Sequence, residues 1–369
     1  MPRDVIVLPG EGVGPEVIRQ ARRVIDWLGE RRGLDIAVRE EAYGVAAYRR
    51  HGGIVADEVR ADLPTADAVL FGATGGPEFE EIPLEVRRAG SLLAIRREMQ
   101  VFANLRPIVG YAELADASAL KPEVMAGVDL IVVRELNGGL YFGEPRGVED
   151  LLDGRQRGVN TLTYATDEIE RIARAAFTLA LARDGRLCSV DKSNVLETGR
   201  LWRQVVTRVG AKEFPDVRLS HILVDNCAMQ LAREPGQFDV LLADNMFGDI
   251  LSDIGGAVAG SLGMLPSAAL AAPDADGRRA ALYEPVHGSA PDIAGRGIAN
   301  PLGAILSVAL MLRHSLDRED DAALLERAVR RALSKGARTP DIRAPNRPAL
   351  STGGMGDAVI AALAEIAPG

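Results

Sequence analysis

The sequence predicts an α/β protein, and two features of its pattern support this class. Short apolar runs alternate with longer amphipathic stretches that have a helical period. Each apolar run leads directly into glycine-rich or polar sequence, and the ligand sites of open α/β sheets collect at such strand ends. The runs that we interpret as buried strands are residues 5–8, 68–71, 130–133, 187–190 and 240–243.

Length, charge and cysteine content limit the class of protein. The chain has 369 residues, enough for a large core and two domains. Its net charge of −9 argues against a general nucleic-acid surface, because phosphate binding needs a dense basic field. The chain has only two cysteines and no secretory pattern at its start, which favours a reducing compartment. Its histidines are scattered without the spacing of zinc ligands, and no apolar run is long enough to span a membrane. We therefore expect a cytoplasmic protein without nucleic-acid or membrane partners.

Three segments between the strands have patterns of their own. Residues 167–183 form a strongly periodic stretch, which predicts a helix. Residues 140–162 have a polar centre followed by extended sequence, which predicts a hairpin or arm that projects from the body. Residues 268–281 are rich in Ala, Pro, Asp and Gly, which predicts a surface loop.

Three glycines follow the first strand, and their spacing is informative. Gly10, Gly12 and Gly14 suggest a dinucleotide fingerprint, but the third glycine comes two residues after the second rather than three. We interpret the segment as a tight turn between a strand and a helix. Pro15 is suited to the first turn of that helix, where a missing N–H costs nothing.

Three arginines are candidates for holding carboxylates. Arg96 lies on a predicted helix, Arg106 follows that helix, and Arg134 ends the strand of residues 130–133. The planar guanidinium donates two parallel hydrogen bonds, which matches the geometry of a carboxylate. An isolated arginine is by default a surface residue. Arg134 departs from that default, because an arginine that ends an apolar strand tends to point into a crevice.

Acidic residues provide candidate metal ligands. Asp249 and Asp253 are four residues apart, so they share one face if the segment is helical. Two like charges at this spacing repel unless a cation lies between them, and oxygen ligands suit Mg²⁺ or Mn²⁺. Asp225, at the end of another apolar run, is a candidate third ligand. The alternative is one aspartate at a helix start and one in solvent.

Two further residues are candidate acid–base groups. Lys192 follows the strand of residues 187–190, where a lysine can act as a general base. Tyr141 lies in a glycine-rich segment and could donate a proton. The alternatives are an ordinary surface lysine and a packed aromatic ring. The segment of residues 284–300 is dense in small residues, which suits a loop whose backbone N–H groups approach a nucleotide.

In combination, these motifs resemble the isocitrate and isopropylmalate dehydrogenase family of β-decarboxylating dehydrogenases. The resemblance covers essentially the whole chain. It implies a two-domain α/β fold with a mixed sheet that is not the classical Rossmann fold. It further implies one domain of residues 1–101 plus 260–369 that carries most of the NAD site, and a central domain of residues 102–259 with the dimer interface and the arm. The matching motifs are NLRP (104–107), VREL (133–136), YFGE (141–144), DKSNV (191–195), NMFGDILSD (245–253) and the loop around His287.

The resemblance also implies roles for individual residues. Tyr141 and Lys192 would be the acid–base pair, and Arg96, Arg106 and Arg134 would hold the substrate carboxylates. Mg²⁺ or Mn²⁺ would be bound between the two subunits of a homodimer, by Asp225 of one subunit and by Asp249 and Asp253 of the other. Lys192 would also reach the site across the dimer, and Asp225 would also contact the substrate. The implied NAD contacts are Gly75, Gly76, Pro77, Glu78, Asn194, Glu284, His287, Gly288, Ser289, Ala290, Pro291, Asp292, Ile293 and Asn300.

Within this family, a few positions indicate substrate and cofactor. Leu92 and Leu93 fall where an alkyl group is bound, and Val195 would join them from the partner subunit. Asp292 would accept from a ribose hydroxyl and repel a 2′-phosphate, which favours NAD. The expected reaction is the oxidation and decarboxylation of 3-isopropylmalate to 4-methyl-2-oxopentanoate in leucine biosynthesis. The alternatives are isocitrate, homoisocitrate, tartrate or a longer alkylmalate as substrate, or a non-catalytic partner subunit.

Overall fold

A computed structural model describes residues 2–118 and 120–367, and it has the predicted alternation of strands and helices. All five apolar runs that we interpreted as strands lie in strands. The twelve strands in these described ranges are β1 Arg3–Gly10, β2 Ile36–Glu40, β3 Ala68–Ala73, β4 Ala103–Val109, β5 Asp129–Glu135, β6 Gly143–Asp150, β7 Gln156–Thr161, β8 Arg186–Asp191, β9 Arg218–Leu223, β10 Val240–Ala243, β11 Pro266–Leu270 and β12 Ala281–Pro285.

Helices connect most of these strands and cover the sheet. Helix α11 packs on β4 and β5, α8 packs on β5, β8 and β10, and α12 packs on β11 and β12. The described helices are α1 Gly14–Arg32, α2 Val45–His51, α3 Asp57–Asp62, α4 Pro77–Glu80, α5 Leu84–Ala89, α6 Leu92–Glu98, α7 Pro122–Met125, α8 Thr166–Leu181, α9 Glu197–Glu213, α10 Val224–Arg233, α11 Asn245–Ala259, α12 Leu302–His314, α13 Glu319–Ser334 and α14 Thr352–Ile366. Among the described residues, no helix combines the length and apolar character needed to cross a membrane.

Ten strands form one mixed sheet in the order β2-β1-β3-β12-β11-β4-β5-β10-β8-β9. Pairing is parallel at both ends, whereas β11 pairs antiparallel with β12 and with β4, and β4 pairs antiparallel with β5. The predicted mixed α/β fold is therefore confirmed. Strands from residues 1–101 and 260–369 occupy one half of the sheet and strands from residues 102–259 occupy the other, so the proposed domains would meet between β11 and β4.

The predicted arm is a two-stranded antiparallel hairpin of β6 and β7. Most of its residues are exposed, including Val148 and Leu152. The hairpin prediction is confirmed, as is the helix predicted over residues 167–183, which is α8.

The surface loop was predicted over residues 268–281, and both of these predicted boundaries are wrong. Ala268, Ala269 and Leu270 are buried in β11, and Ala281 is the first residue of β12. Small side chains are common in loops, but they also suit a central strand that packs closely between β4 and β12. The loop is confined to residues 271–280, which include an exposed turn at Gly277.

The glycine turn after β1 is a strand–helix turn, as we interpreted it. Gly10 and Gly12 have positive φ angles of 73° and 59°, which side chains rarely adopt. A Cβ atom on Gly10 would lie 1.9 Å from the carbonyl oxygen of Ala73, and one on Gly12 would lie 2.0 Å from that of Ser289. The backbone N–H of Val13 also donates to the Ser289 carbonyl at 2.9 Å. The turn therefore supports two loops that were predicted to bind a dinucleotide.

Candidate active site

A cavity of about 250 Å³ lies where β3 and β12 meet β4, β5 and α11. It contains ten of the residues predicted from the sequence to bind substrate, cofactor or metal, or to act as acid or base. Phe71 to Thr74, Pro285 and Val286 complete its wall. The ten predicted residues on its lining are Leu92, Leu93, Arg96, Arg106, Arg134, Tyr141, Asp249, Glu284, His287 and Gly288.

The three predicted arginines converge on this cavity from different elements. Arg96 comes from α6, Arg106 from β4 and Arg134 from the end of β5. Their side chains retain only 8, 7 and 3% of their exposure, so each is desolvated. Buried charges need partners, and three guanidinium groups at one site create a strong field for anions.

Three acidic residues, Glu284, Asp249 and Asp253, form ion pairs with these arginines. Arg96 forms an ion pair with buried Glu284, while its buried Nε has no hydrogen-bond partner in residues 2–118 and 120–367. Arg106 and Arg134 both contact Asp249, whose side chain is 34% exposed. Burial lowers the pKa of Arg134 to about 10, with nearby Arg106 as the next cause, and burial likewise lowers the pKa of Arg106. A bound carboxylate would offset the repulsion between the arginines and favour their charged forms.

Tyr141 lies beside the arginines and the first predicted metal ligand. Its phenol donates to Asp249 at 3.1 Å, and the Arg134 guanidinium lies 5.8 Å from the centre of its ring. Burial, followed by the charge of Asp249, raises the pKa of Tyr141 above its usual 10. The phenol therefore keeps its proton at neutral pH and can serve as a donor.

The two acidic residues on α11 are on one face, as expected from their spacing. Arg106 Nη1 is 3.2 Å from Asp249 Oδ1 and 3.7 Å from Asp253 Oδ1. The pKa of Asp253 is raised, mainly by burial. The helix begins where Asp244 caps it by accepting from the N–H of Phe247 at 2.7 Å. These carboxylates provide the oxygen ligands that Mg²⁺ and Mn²⁺ prefer.

The remaining predicted acid–base and metal residues form a separate cluster. Lys192, just after β8, donates to Asp225 in the first turn of α10 at 2.6 Å. This hydrogen bond lowers the pKa of Asp225. Neither residue lines the cavity, and nearby Asn194 and Val195 are exposed. Within the described ranges of one chain, no three His, Cys, Asp or Glu residues are grouped closely enough to bind a metal ion.

The two predicted cofactor loops adjoin each other at the cavity rim. Gly75 and Gly76 have φ angles of 108° and 130°, and a Cβ atom on Gly75 would lie 3.5 Å from the Ser289 hydroxyl. Two buried atoms, His287 Nε2 and Thr74 Oγ1, have no hydrogen-bond partner in the part of the chain that the structure describes. Burial lowers the pKa of His287, so its ring is neutral at neutral pH. Unpartnered polar atoms beside a glycine-lined opening fit the polar groups of a dinucleotide.

Other members of the predicted cofactor set have contacts of their own. Glu78 forms an exposed ion pair with Arg49 at 2.8 Å, and Asp292 is exposed. Asn300 is buried and accepts from the N–H of Leu302 at 3.0 Å, so it stabilises the start of α12. The structure brings Ala290, Pro291 and Ile293 into the same loop as His287. Direct contact between these residues and a cofactor stays a prediction.

Two asparagines and a serine hold the arginines, and sequence reasoning missed them. Asn104 accepts from Arg106 Nε at 2.8 Å, and Arg106 also donates to Ser252 at 2.7 Å. Asn245 accepts from both Nε and Nη2 of Arg134, at 3.1 and 2.8 Å. Asn104 could have been found from the sequence, because residues two apart on a strand lie on the same face and an asparagine there can accept from Arg106. No such spacing relates Asn245 to Arg134.

A buried carboxylate was also missed. Glu135 is fully buried and accepts from the backbone N–H groups of Asn137 and Gly138 at 2.8 and 2.7 Å. Tyr164 donates to it at 3.3 Å and accepts from the N–H of Asn245 at 3.0 Å. Burial raises the pKa of Glu135 to about 7. The network thus links the segment before Tyr141 to the asparagine that orients Arg134.

Comparison with known proteins agrees with this arrangement. The family described as isocitrate/isopropylmalate dehydrogenase matches residues 4–359, nearly the entire chain. The chain belongs to this family. It is accordingly an enzyme of the β-decarboxylating dehydrogenase class.

The similarity to individual relatives and solved structures extends over almost the whole length of this chain. The chain is 56% identical to 3-isopropylmalate dehydrogenase 1 of Bradyrhizobium diazoefficiens, covering 98% of this chain and 96% of that one. It is 53% identical to 3-isopropylmalate dehydrogenase of Gluconobacter oxydans, with 98% of both chains covered. Among solved structures, isocitrate dehydrogenase from Methylococcus capsulatus has a TM-score of 0.84 at 30% identity, covering 98% of this chain and 99% of that one. A β-decarboxylating dehydrogenase from Thermococcus kodakarensis has a TM-score of 0.78 at 34% identity, covering 99 and 97%.

Proposed function

We propose that this enzyme carries out the NAD-dependent oxidative decarboxylation of 3-isopropylmalate to 4-methyl-2-oxopentanoate and CO₂, a step of leucine biosynthesis in the cytoplasm. The observation that carries the proposal is the cavity in which three buried arginines and Tyr141 face Asp249 beside Leu92 and Leu93. Such a cavity suits a diacid with an apolar branch. The names of the relatives that are 53 and 56% identical support this substrate.

The chain's own side chains would bind and orient the substrate. Arg96, Arg106 and Arg134 would hold its two carboxylates, because their guanidinium groups are buried at one cavity and their geometry matches that of a carboxylate. Leu92 and Leu93 would contact the isopropyl group. Orientation of this kind places the C2 hydrogen toward the cofactor loops and excludes water from the reacting carbons.

The reaction would then need one base and one acid from the protein. When bound, Mg²⁺ or Mn²⁺ on Asp225, Asp249 and Asp253 supplies a Lewis acid toward the substrate oxygens, and NAD supplies the hydride acceptor. Lys192, as the uncharged amine and acting through a water, would take the proton of the C2 hydroxyl as the C2 hydrogen leaves with its electron pair. Loss of CO₂ from C3 then leaves an enolate, and Tyr141 would return a proton to C3.

A homodimer would complete each site. Lys192 and Asp225 contact each other and are absent from the lining of the cavity in their own chain. Val195 beside them is 63% exposed, so its side chain is accessible to a second subunit. In the proposed dimer, this cluster of one subunit faces the cavity of the other, and Val195 joins Leu92 and Leu93 around the isopropyl group.

The two sequence segments would act as separate domains on either side of this site. In our proposal, residues 1–101 with 260–369 carry the cofactor loops, and residues 102–259 carry Arg106, Arg134, Tyr141 and the arm. The cavity then lies at the domain boundary, a frequent position for ligand sites.

Substrate identity can be tested by following NADH formation with 3-isopropylmalate, isocitrate, tartrate and malate in parallel. Each diacid is supplied with NAD or NADP, and with Mg²⁺, Mn²⁺ or a chelator. We expect metal-dependent turnover that is highest with 3-isopropylmalate and NAD. Preference for another diacid would contradict the assignment of Leu92, Leu93 and Val195. Absence of turnover on every diacid would instead favour a non-catalytic subunit.

The shared site can be tested by mixing two inactive variants. In a mixed dimer of Tyr141→Phe and Lys192→Met chains, one site would carry both defects and the other would carry none. Random re-association should therefore restore roughly a quarter of the parent activity, since half of the dimers would have one intact site. If both residues act within one chain, no activity would return.

A further inference from the structure

A second and larger cavity lies on the opposite face of β4 from the candidate active site. Its volume is about 550 Å³, within the range of cavities that bind small organic molecules. Side chains alternate along a strand, so Asn104 and Arg106 face the active site while Leu105, Pro107 and Val109 line this second cavity. We refer to it below as the rear cavity.

The rear cavity is built from both halves of the sheet. Leu105, Ile131 and Leu179 come from residues 102–259, whereas Leu306 and Leu310 of α12 come from the other segment. These side chains give the cavity an apolar floor between α8 and α12. A molecule bound there would contact both segments, and it would touch the strand that carries Arg106.

Some polar side chains on the rim of the rear cavity already form ion pairs within the protein, and others do not. All three acidic residues already accept from an arginine: Asp129 from Arg183 at 2.9 Å, and Glu319 and Glu326 from Arg313 at 2.8 Å each. No acidic side chain of the lining is therefore left to attract a cation.

Other donors of the lining, beyond the paired Arg183 and Arg313, are not engaged in this way. Among the described residues, Arg330, Tyr111 and His314 have no side-chain hydrogen bond or ion pair. Arg330 only stacks on Tyr111, with its guanidinium 5.1 Å from the ring centre. Burial lowers the pKa of His314 to about 4, so its ring is neutral at neutral pH and can donate from one nitrogen. Each of these three side chains can donate a hydrogen bond to a ligand, and Arg330, which is exposed to solvent, also carries a positive charge.

We propose that the rear cavity binds a small aliphatic monocarboxylate, with its chain on the leucines and its carboxylate on Arg330. The apolar floor accounts for the chain. Among the residues that the structure describes, Arg330 is the one cation of the rim without an ion pair, which accounts for one carboxylate rather than two. The site is separate from the proposed catalytic cavity, and its occupation does not depend on the substrate of the enzyme.

Calorimetric titration with octanoate tests this proposal on the full-length protein. Octanol is the matched uncharged probe. Arg330→Gln removes the cation from an exposed helix position, and Arg327→Gln, one turn earlier on the same helix and outside the lining, is the control. Leu179→Trp would fill the cavity from a half-buried position. Circular dichroism melting verifies that each variant is folded.

We expect saturable octanoate binding to the parent and to Arg327→Gln. Arg330→Gln should weaken it about tenfold or more, the usual scale for a lost charge-assisted hydrogen bond. Leu179→Trp should abolish it, and octanol should bind at least tenfold more weakly than octanoate. The proposal is overturned if the parent shows no saturable binding. It is also overturned if binding is unchanged in Arg330→Gln and Leu179→Trp and is displaced by 3-isopropylmalate, which would assign octanoate to the catalytic cavity.

Discussion

Glu135 should make the stability of this protein depend on pH in a specific direction. Its pKa rises from the usual 4.5 to about 7 on folding, chiefly because its carboxylate is buried. The folded chain then binds a proton more tightly than the unfolded chain does. The free energy of unfolding should therefore fall as the pH rises from 4.5 to about 7, and the Glu135 contribution should be constant above that window.

The size of this effect follows from the shift. Each pKa unit corresponds to about 1.4 kcal/mol, so ionising Glu135 in the folded state should cost about 3 kcal/mol between the ends of the window. Glu135→Gln cannot ionise, and it keeps one of the two oxygen acceptors that the N–H groups of Asn137 and Gly138 use. The loss of the other acceptor lowers stability by an amount that does not depend on pH, so only the change with pH reports the ionisation. The variant should therefore become more stable relative to the parent, by about 3 kcal/mol, as the pH rises from 4.5 to 7.5.

Urea unfolding at a fixed protein concentration, repeated at several pH values, measures this difference, since the concentration must be held constant for an oligomer. Glu123→Gln changes an exposed glutamate and serves as the control. Its profile should run parallel to that of the parent. If the profile of Glu135→Gln also runs parallel to the parent, the reasoning from burial at Glu135 is refuted.

Three substitutions in the proposed active site should separate chemistry from binding. Tyr141→Phe keeps the ring beside Arg134 but removes the proton donor, so kcat should fall about 10²-fold or more with a KM within a few fold of the parent; an unchanged kcat would contradict its role. Lys192→Met should lower kcat on the same scale, about 10²-fold, whereas Lys212→Met on the exposed face of α9 should not. Arg96→Lys should raise the KM for 3-isopropylmalate about tenfold, because a lysine cannot hold a second anion with the geometry of a guanidinium; a KM equal to that of the parent would remove Arg96 from the substrate site. Steady-state NADH formation measures all three.

The positions of strands, and of the residues at their ends, could be predicted from the sequence. Arg134 ends an apolar run, and such a residue lies at the edge of the sheet where sites collect. Asp249 and Asp253 share a helix face because their spacing matches the helical period. These inferences need only local sequence, and the structure places all three residues accordingly.

Long-range pairing could not be read in the same way. Asn245 orients Arg134 across a separation of 111 residues, and nothing in either local pattern indicates the other. The same holds for Tyr164 and Glu135, whose contact depends on how the segment after β7 packs against β5. Composition also misled at Ala268 and Ala269, because small residues suit both loops and tightly packed central strands.

The most direct test of the proposed reaction is a product balance with 3-isopropylmalate, NAD and Mg²⁺. NADH, CO₂ and 4-methyl-2-oxopentanoate are measured in the same reaction, and a parallel reaction contains chelator. We expect equal molar amounts of the three products and their loss together when the metal is removed. NADH formation without matching CO₂, or formation of all three products in chelator, would contradict it.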